Sequence, residues 1–197
     1  MFRIFLIFVI GIFILDVRTT AHAETGVAVR TLGSQNCDSM INHLKDDKTK
    51  GEAIFYIQWL AGYITAYNTQ KKIVDGFPIR GPIEEFLRFV VHVCAANLDK
   101  KIFAVLKASL DASAPYHIKK SSEVKSISVD GKKYQFYKDY LKASQSFLKK
   151  KGYRVTVDGL YGSRTETAFR KYKTDNKLGG MPVPDYMFLL SMIENQK

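Results

Sequence analysis

The chain has 197 residues, 46% of them apolar and 25% charged, with a formal net charge of +11. That length is enough for one domain or two small ones. The basic excess is concentrated: residues 115–177 hold 16 Lys/Arg against 6 Asp/Glu, whereas residues 24–114 hold 11 against 10. Such a field favours polyanions, among them nucleic acid, anionic lipid and carboxylate-bearing polymers, unless it is only a solvated lysine surface.

Residues 1–23 read as an export signal. Arg3 supplies positive charge, Ile4 to Leu15 form a 12-residue apolar run, and Ala21-His22-Ala23 fits the small-x-small rule for cleavage. The run is shorter than the roughly 20 residues of a membrane span, so cleavage after Ala23 is expected and an uncleaved anchor is the alternative. The mature chain is then expected in the periplasm of a bacterium, without a stable membrane span. An exported protein seldom meets nucleic acid, so no nucleic-acid partner is expected and the cell wall is the favoured polyanion.

The two cysteines, Cys37 and Cys94, read first as one disulfide in such a chain. The first mature domain, residues 24–112, reads as helical. Asn36-Cys37-Asp38 caps a short helix to about Leu44. Gly51 to Asn68 forms a longer one, with Ile54, Ile57, Ala61, Ile64 and Asn68 along one side and Trp59, Tyr63 and Tyr67 as an aromatic stripe at steps of four. Helix-packing core is the expected role of that stripe. Lys71 to Arg80, with Asp75-Gly76-Phe77-Pro78, is a loop, and Pro82 opens a third helix whose inner face carries Phe86, Phe89, Val90, Val93, Cys94 and Asn97. Lys100 to Leu110 gives the fourth, with Ile102, Val105, Leu106 and Leu110 inward. Four helices joined by a disulfide between the first and third make a coherent small bundle.

Cys37, then Gln58-Trp59-Leu60-Ala61-Gly62-Tyr63-Ile64-Thr65-Ala66-Tyr67-Asn68, then Phe86 to Cys94-Ala-Ala-Asn97-Leu98 resembles the HdeA-like and Rap1a/Tai-like periplasmic helical proteins. Leu98 stands where that group usually has proline. The resemblance implies a four-helix disulfide-linked fold and says little about chemistry. Tyr67-Asn68 reads either as a ligand surface or as the end of a helix.

Residues 113–134 read as a basic linker or a small hairpin. Ile127 to Phe136 alternates around Asp130-Gly131, which suits a hairpin packed on a domain, and a flexible tether is the alternative.

From residue 135 onward the chain reads as a second helical module. Leu141 to Tyr153 contains Gln145 and ends in Gly152 after a run of lysines, as a helix C-terminus would. Asp158-Gly159 and Gly162 supply tight or left-handed turn positions. Ser163 followed by Glu166 has the spacing of a capping box, and Ala168, Phe169 and Tyr172 then fall on one helix face. The stretch Val157-Asp158-Gly159-Leu160-Tyr161-Gly162-Ser163-Arg164-Thr165-Glu166-Thr167-Ala168, with Gln145 and Gly152-Tyr153 before it and Pro182-Val183-Pro184 and Tyr186 to Ile193 after it, resembles the peptidoglycan-binding domain family of small three-helix modules. The resemblance covers roughly 60 residues by this spacing. Tyr172-Lys173 replaces the family's Phe-Gln, and Phe169 replaces a smaller aliphatic residue. It implies binding of peptidoglycan glycan or stem peptide, with Asp158, Gly159, Tyr161, Gly162, Arg164 and Thr165 as candidate contacts. Asp158, Gly159, Gly162 and Thr165 also fit a purely structural role, set by the turn and the cap. Arg164 suits two-pronged binding of a stem-peptide carboxylate.

No enzyme motif is present: there is no Gly-x-Ser-x-Gly, no His-Glu-x-x-His and no phosphate-cradling glycine loop. His43, His92 and His117 lack metal-ligand spacing, and Asp46-Asp47 and Glu84-Glu85 suit a solvated surface. No catalytic residue, metal or cofactor is therefore expected. The reading at this level is an exported, mainly α-helical, non-catalytic wall-binding protein whose first domain docks a periplasmic partner. A wall-tethered acid-stress chaperone and a cell-wall hydrolase with an unrecognised active site are the alternatives.

Overall fold

The computed structural model describes residues 31–196, so the expected export signal lies outside the described residues. The protein is mainly helical. Helices α1 (Cys37–Lys45), α2 (Ala53–Lys71), α3 (Ile83–Ala95) and α4 (Ile102–Ala112) come first. A hairpin of β1 (Val124–Val129) and β2 (Lys132–Tyr137) follows, and then α5 (Lys138–Lys150), α6 (Ser163–Asp175) and α7 (Tyr186–Glu194).

In the first half α3 is central, touching α1, α2, α4 and, from the second half, α7. Its buried face carries Phe86, Leu87, Phe89, Val90, Val93 and Cys94, and α4 buries Ile102, Val105, Leu106 and Leu110 against it. The disulfide joins Cys37 at the start of α1 to Cys94 near the end of α3, both fully buried. In α2 the aromatic row packs on the core as expected, Tyr67 buried and Trp59 and Tyr63 against it. The side through Ile54 and Ala61 does not lead inward, Ile54 being 47% exposed, and Tyr56 and Leu60 are the other deep side chains. Being apolar on most of its circumference, α2 offers no periodic contrast by which its aliphatic side could be placed. Trp59 and Tyr63 are half-buried and stack in series toward Tyr67. Tyr67 donates to Asp111 Oδ1 at 3.3 Å, and Asn68 Oδ1 accepts from the Gly76 N–H at 2.8 Å. Both residues of the Tyr67-Asn68 pair thus hold the domain together, and α2 runs three residues past Asn68.

The hairpin is regular. Six residue pairs run from Val124 opposite Tyr137 to Val129 opposite Lys132, and Asp130 (φ +47°) and Gly131 (φ +76°) make the two-residue turn. Ile127, Val129, Phe136 and Tyr137 are buried. Ile79 of the loop before α3 bridges to Phe136, while Arg80 donates to the Tyr137 hydroxyl at 3.0 Å and that hydroxyl to Asp75 Oδ2 at 3.2 Å. This packing removes the need for a tether at residues 124–137, because β2 passes straight into α5.

α5, α6 and α7 bury Tyr140, Leu141, Leu148, Ala168, Phe169, Tyr172, Phe188, Leu189 and Met192 together. Gly152 (φ +87°) ends α5 as expected, with the Tyr153 N–H reaching back to Leu148 O at 3.0 Å in a Schellman arrangement. At the start of α7, Asp185 accepts from the Phe188 N–H at 3.1 Å and pairs with Lys173 Nζ at 2.5 Å. The buried residues of both halves form one continuous core. Among the described residues no helix is long and apolar enough to cross a membrane.

Candidate functional site

The turn between α5 and α6 is organised by one buried side chain, Gln145. Its amide oxygen accepts from the N–H groups of Asp158 (3.0 Å) and Gly159 (2.7 Å). Its amide nitrogen donates to Asp158 Oδ1 (3.0 Å), Leu160 O (2.8 Å) and Thr165 Oγ1 (3.3 Å). Five bonds therefore converge on a glutamine with no solvent exposure. A buried amide is stable only when satisfied in this way, and the loop is correspondingly fixed.

The expected site residues divide into two groups. Asp158 closes the turn on itself, Oδ1 accepting from the Leu160 N–H at 2.8 Å; that bond first, and the one from Gln145 second, hold its carboxyl below the usual range. Gly159 is buried with φ +75°, and a Cβ there would lie 3.0 Å from the Lys138 carbonyl, so no other residue fits without strain. Thr165 is buried, its hydroxyl between Leu160 O and Gln145. Tyr161 also faces inward: its ring stacks on Phe169 at 6.1 Å, its hydroxyl donates to Pro182 O at 2.5 Å, and burial pushes its pKa well above the usual value. It is thus a brace across the module.

Gly162 corrects one expectation. Its φ of −119° is extended backbone that any residue adopts, and open space surrounds its Cβ position. It is also the N-cap of α6, its carbonyl accepting from the Glu166 N–H at 2.9 Å. Ser163 is already inside the helix, so the expected Ser163–Glu166 capping box does not form; Glu166 pairs with Arg170 at 2.8 Å instead. Lys173 is 3% exposed and donates to Met181 O at 2.7 Å as well as to Asp185, so its charge is held in a buried ion pair.

Of the six expected residues, Arg164 alone has an exposed side chain with no bond to another described residue. Two apolar residues of the same turn that the sequence reading passed over are also exposed: Leu160, 52%, and Val157, 40%. The signal was available, since an aliphatic residue between two turn glycines has no helix face on which to hide. The outer surface of the turn thus combines the apolar Val157 and Leu160, the Asp158 carboxylate and the Arg164 guanidinium. Lysines 142, 149, 150 and 151 lie exposed on α5 and its end. Such a surface can stack on the apolar face of a sugar or peptide and pair with a carboxylate.

Cys37 and Cys94 are both bound in the disulfide. Among the described residues no group of three or more His, Cys, Asp or Glu side chains is placed to hold a metal ion. In comparisons with known proteins, no family model, no curated protein and no solved structure matched this chain.

Proposed function

We propose that this chain is an exported, non-catalytic protein that binds peptidoglycan through the outer surface of the Val157–Arg164 turn. Its helical first half, in this reading, serves a periplasmic partner. One observation carries the proposal. Gln145 holds five bonds to fix a turn whose outward groups, Leu160, Val157 and Arg164, serve no purpose inside the molecule. Rigidly presented groups with no internal role are what a binding surface requires, since a preorganised loop loses little entropy on binding. The motif's resemblance to peptidoglycan-binding modules names the ligand, and the exposed Lys142, packed beside Gly159 of the turn, suits a stem-peptide carboxylate. The apolar run at residues 4–15 and the disulfide both fit passage into an oxidising compartment.

The test is cosedimentation of the mature protein with purified peptidoglycan sacculi at low and moderate salt. Binding that persists at moderate salt supports a built site. Binding lost with salt, or absent, leaves only a basic surface and removes the wall from the function.

A second reading, the wall-tethered acid-stress chaperone, has its own observation. His117 lies edge-on to Tyr67 at 5.7 Å, and its Nε2 sits 3.0 Å from Leu110 O, between α2 and the end of α4. Burial holds its pKa below the ordinary value. Protonating it would loosen the aromatic row on α2, which is the exposure an acid-triggered holdase needs. Low-pH aggregation of a client protein that is unchanged by this chain would dispose of that reading.

A further inference from the structure

The hairpin has one open edge. A two-residue turn with both φ positive fixes which backbone groups face the partner strand: Val129, Ile127 and Lys125 exchange bonds with Lys132, Tyr134 and Phe136. The N–H and C=O groups of Val124, Ser126 and Ser128 therefore point away from β2. On the far side of β2 the loop residue Ile79 bridges to Phe136; among the described residues no strand or bridge covers the outer side of β1.

Natural edge strands are usually blunted by proline, a bulge, edge lysines or a charge pointing inward. β1 has no proline and its six-residue register is continuous; its one inward charge, Lys125 on the face of the buried Ile127 and Val129, is neutralised by Glu123 at 2.5 Å. Val124 is 37% exposed and the side chains of Ser126 and Ser128 are short, so another backbone can approach.

We propose that the outer edge of β1 accepts an extended acidic segment of a partner protein as a third strand. Charge selects the occupant. Lys119 and Lys120 precede one end of the strand, and Lys132 and Lys133 lie across β1 on β2 at the other. All four are exposed and none is held in an ion pair with a described residue, whereas Glu123 is already paired with Lys125 and Lys138 and only Asp130 opposes them. A second copy pairing antiparallel would bring Lys119 and Lys120 of one chain toward the Lys132 and Lys133 end of the other, where Asp130 is the one unpaired carboxylate of the hairpin, and so gather cations in excess. An acidic strand meets cations at both ends, and its inward residues extend the apolar face of Ile127 and Val129. Backbone pairing then supplies affinity and alternate side chains supply specificity. This inference concerns a different surface from the wall-binding turn and stands whether or not the wall is bound.

The experiment uses the full mature protein and a fluorescein-labelled peptide of alternating Glu and Val, with a Lys/Val peptide as the control. Anisotropy reads binding, and amide hydrogen exchange reads its place. Ser126→Pro removes an outward N–H and no hairpin bond. The expected result is binding of the acidic peptide only, new protection at Val124, Ser126 and Ser128, and at least about a tenfold loss of affinity in Ser126→Pro. If Ser126→Pro unfolds the hairpin, Ser126→Glu with Ser128→Glu, which sets like charges against an acidic strand, gives the same reading without proline. Equal binding by the edge variants, or protection elsewhere than on β1, overturns the proposal. A concentration-dependent mass without peptide, abolished by the same variants, overturns it too and assigns the edge to a second copy.

Discussion

Replacing Gln145 with alanine would leave the buried Gly159 N–H and the Asp158 N–H without their acceptor and free Asp158 from its side-chain donor. Each buried group left unsatisfied costs about 1–3 kcal/mol, so Gln145→Ala should lower stability by roughly 2–4 kcal/mol in urea unfolding. An unchanged midpoint would show that the turn does not depend on this residue. Tyr140 presents the opposite case. It is 1% exposed and, among the described residues, its hydroxyl makes no hydrogen bond of good geometry; the nearby Ser144 hydroxyl interacts with it only weakly and points to Met192 Sδ at 3.9 Å. Removing an unsatisfied buried hydroxyl removes a desolvation penalty, so Tyr140→Phe should be neutral or stabilising by up to about 1 kcal/mol. A clear loss of thermal stability would mean that the hydroxyl is bonded in solution.

At the scale of the elements, the start of α6 separates a sequence rule from its outcome. An N-cap serine replaced by alanine costs about 1 kcal/mol, but Gly162 holds the cap here, so Ser163→Ala should cost only a few tenths. A measured cost near the full value would restore the capping box. Lys173 and Asp185 tie α6 to the start of α7 with side-chain exposures of 4% and 18%. Lys173→Met should therefore cost about 3–5 kcal/mol, because it strands a buried carboxylate that also caps α7. The strongly periodic α3 and α4 were legible from spacing alone, as were the Asp130-Gly131 turn and the Gly152 helix end, because each depends on local backbone chemistry. The aliphatic side of α2 was not legible, since an apolar helix with little contrast takes its orientation from its neighbours. Nor was the division of the candidate site: Asp158, Gly159, Tyr161 and Thr165 belong in any turn motif. Only the three-dimensional path shows that they face Gln145 and Phe169 while Leu160 and Arg164 face outward.

At the scale of the whole molecule, both halves share one core through α3, the hairpin and α7, with the Tyr116 hydroxyl donating to Met192 O at 3.2 Å across them. Unfolding should accordingly be a single cooperative transition. Reducing the disulfide, which joins residues 57 apart in sequence, should weaken it by about 4 kcal/mol on the loop-entropy model. Stability should also fall in acid through His117. Its folded pKa lies below that of the unfolded chain, so the contribution is complete above about pH 6.5, is lost as pH falls toward the folded value, and is level below it. Asp75 works in the other direction, since burial raises its pKa and protonation favours the folded state. The slope below neutrality should thus flatten in His117→Gln and persist in Asp75→Asn. The most direct test of the central claim compares sacculus binding by two variants at moderate salt. Leu160→Ser with Arg164→Ala alters only outward groups of the turn, and Tyr161→Phe alters only an inward brace. Peptidoglycan binding through this surface requires the outward pair to lose binding while keeping the native melting curve, and Tyr161→Phe to bind as the parent does whenever it is folded. Full binding by the outward pair would contradict the account and place any wall contact elsewhere on the basic surface.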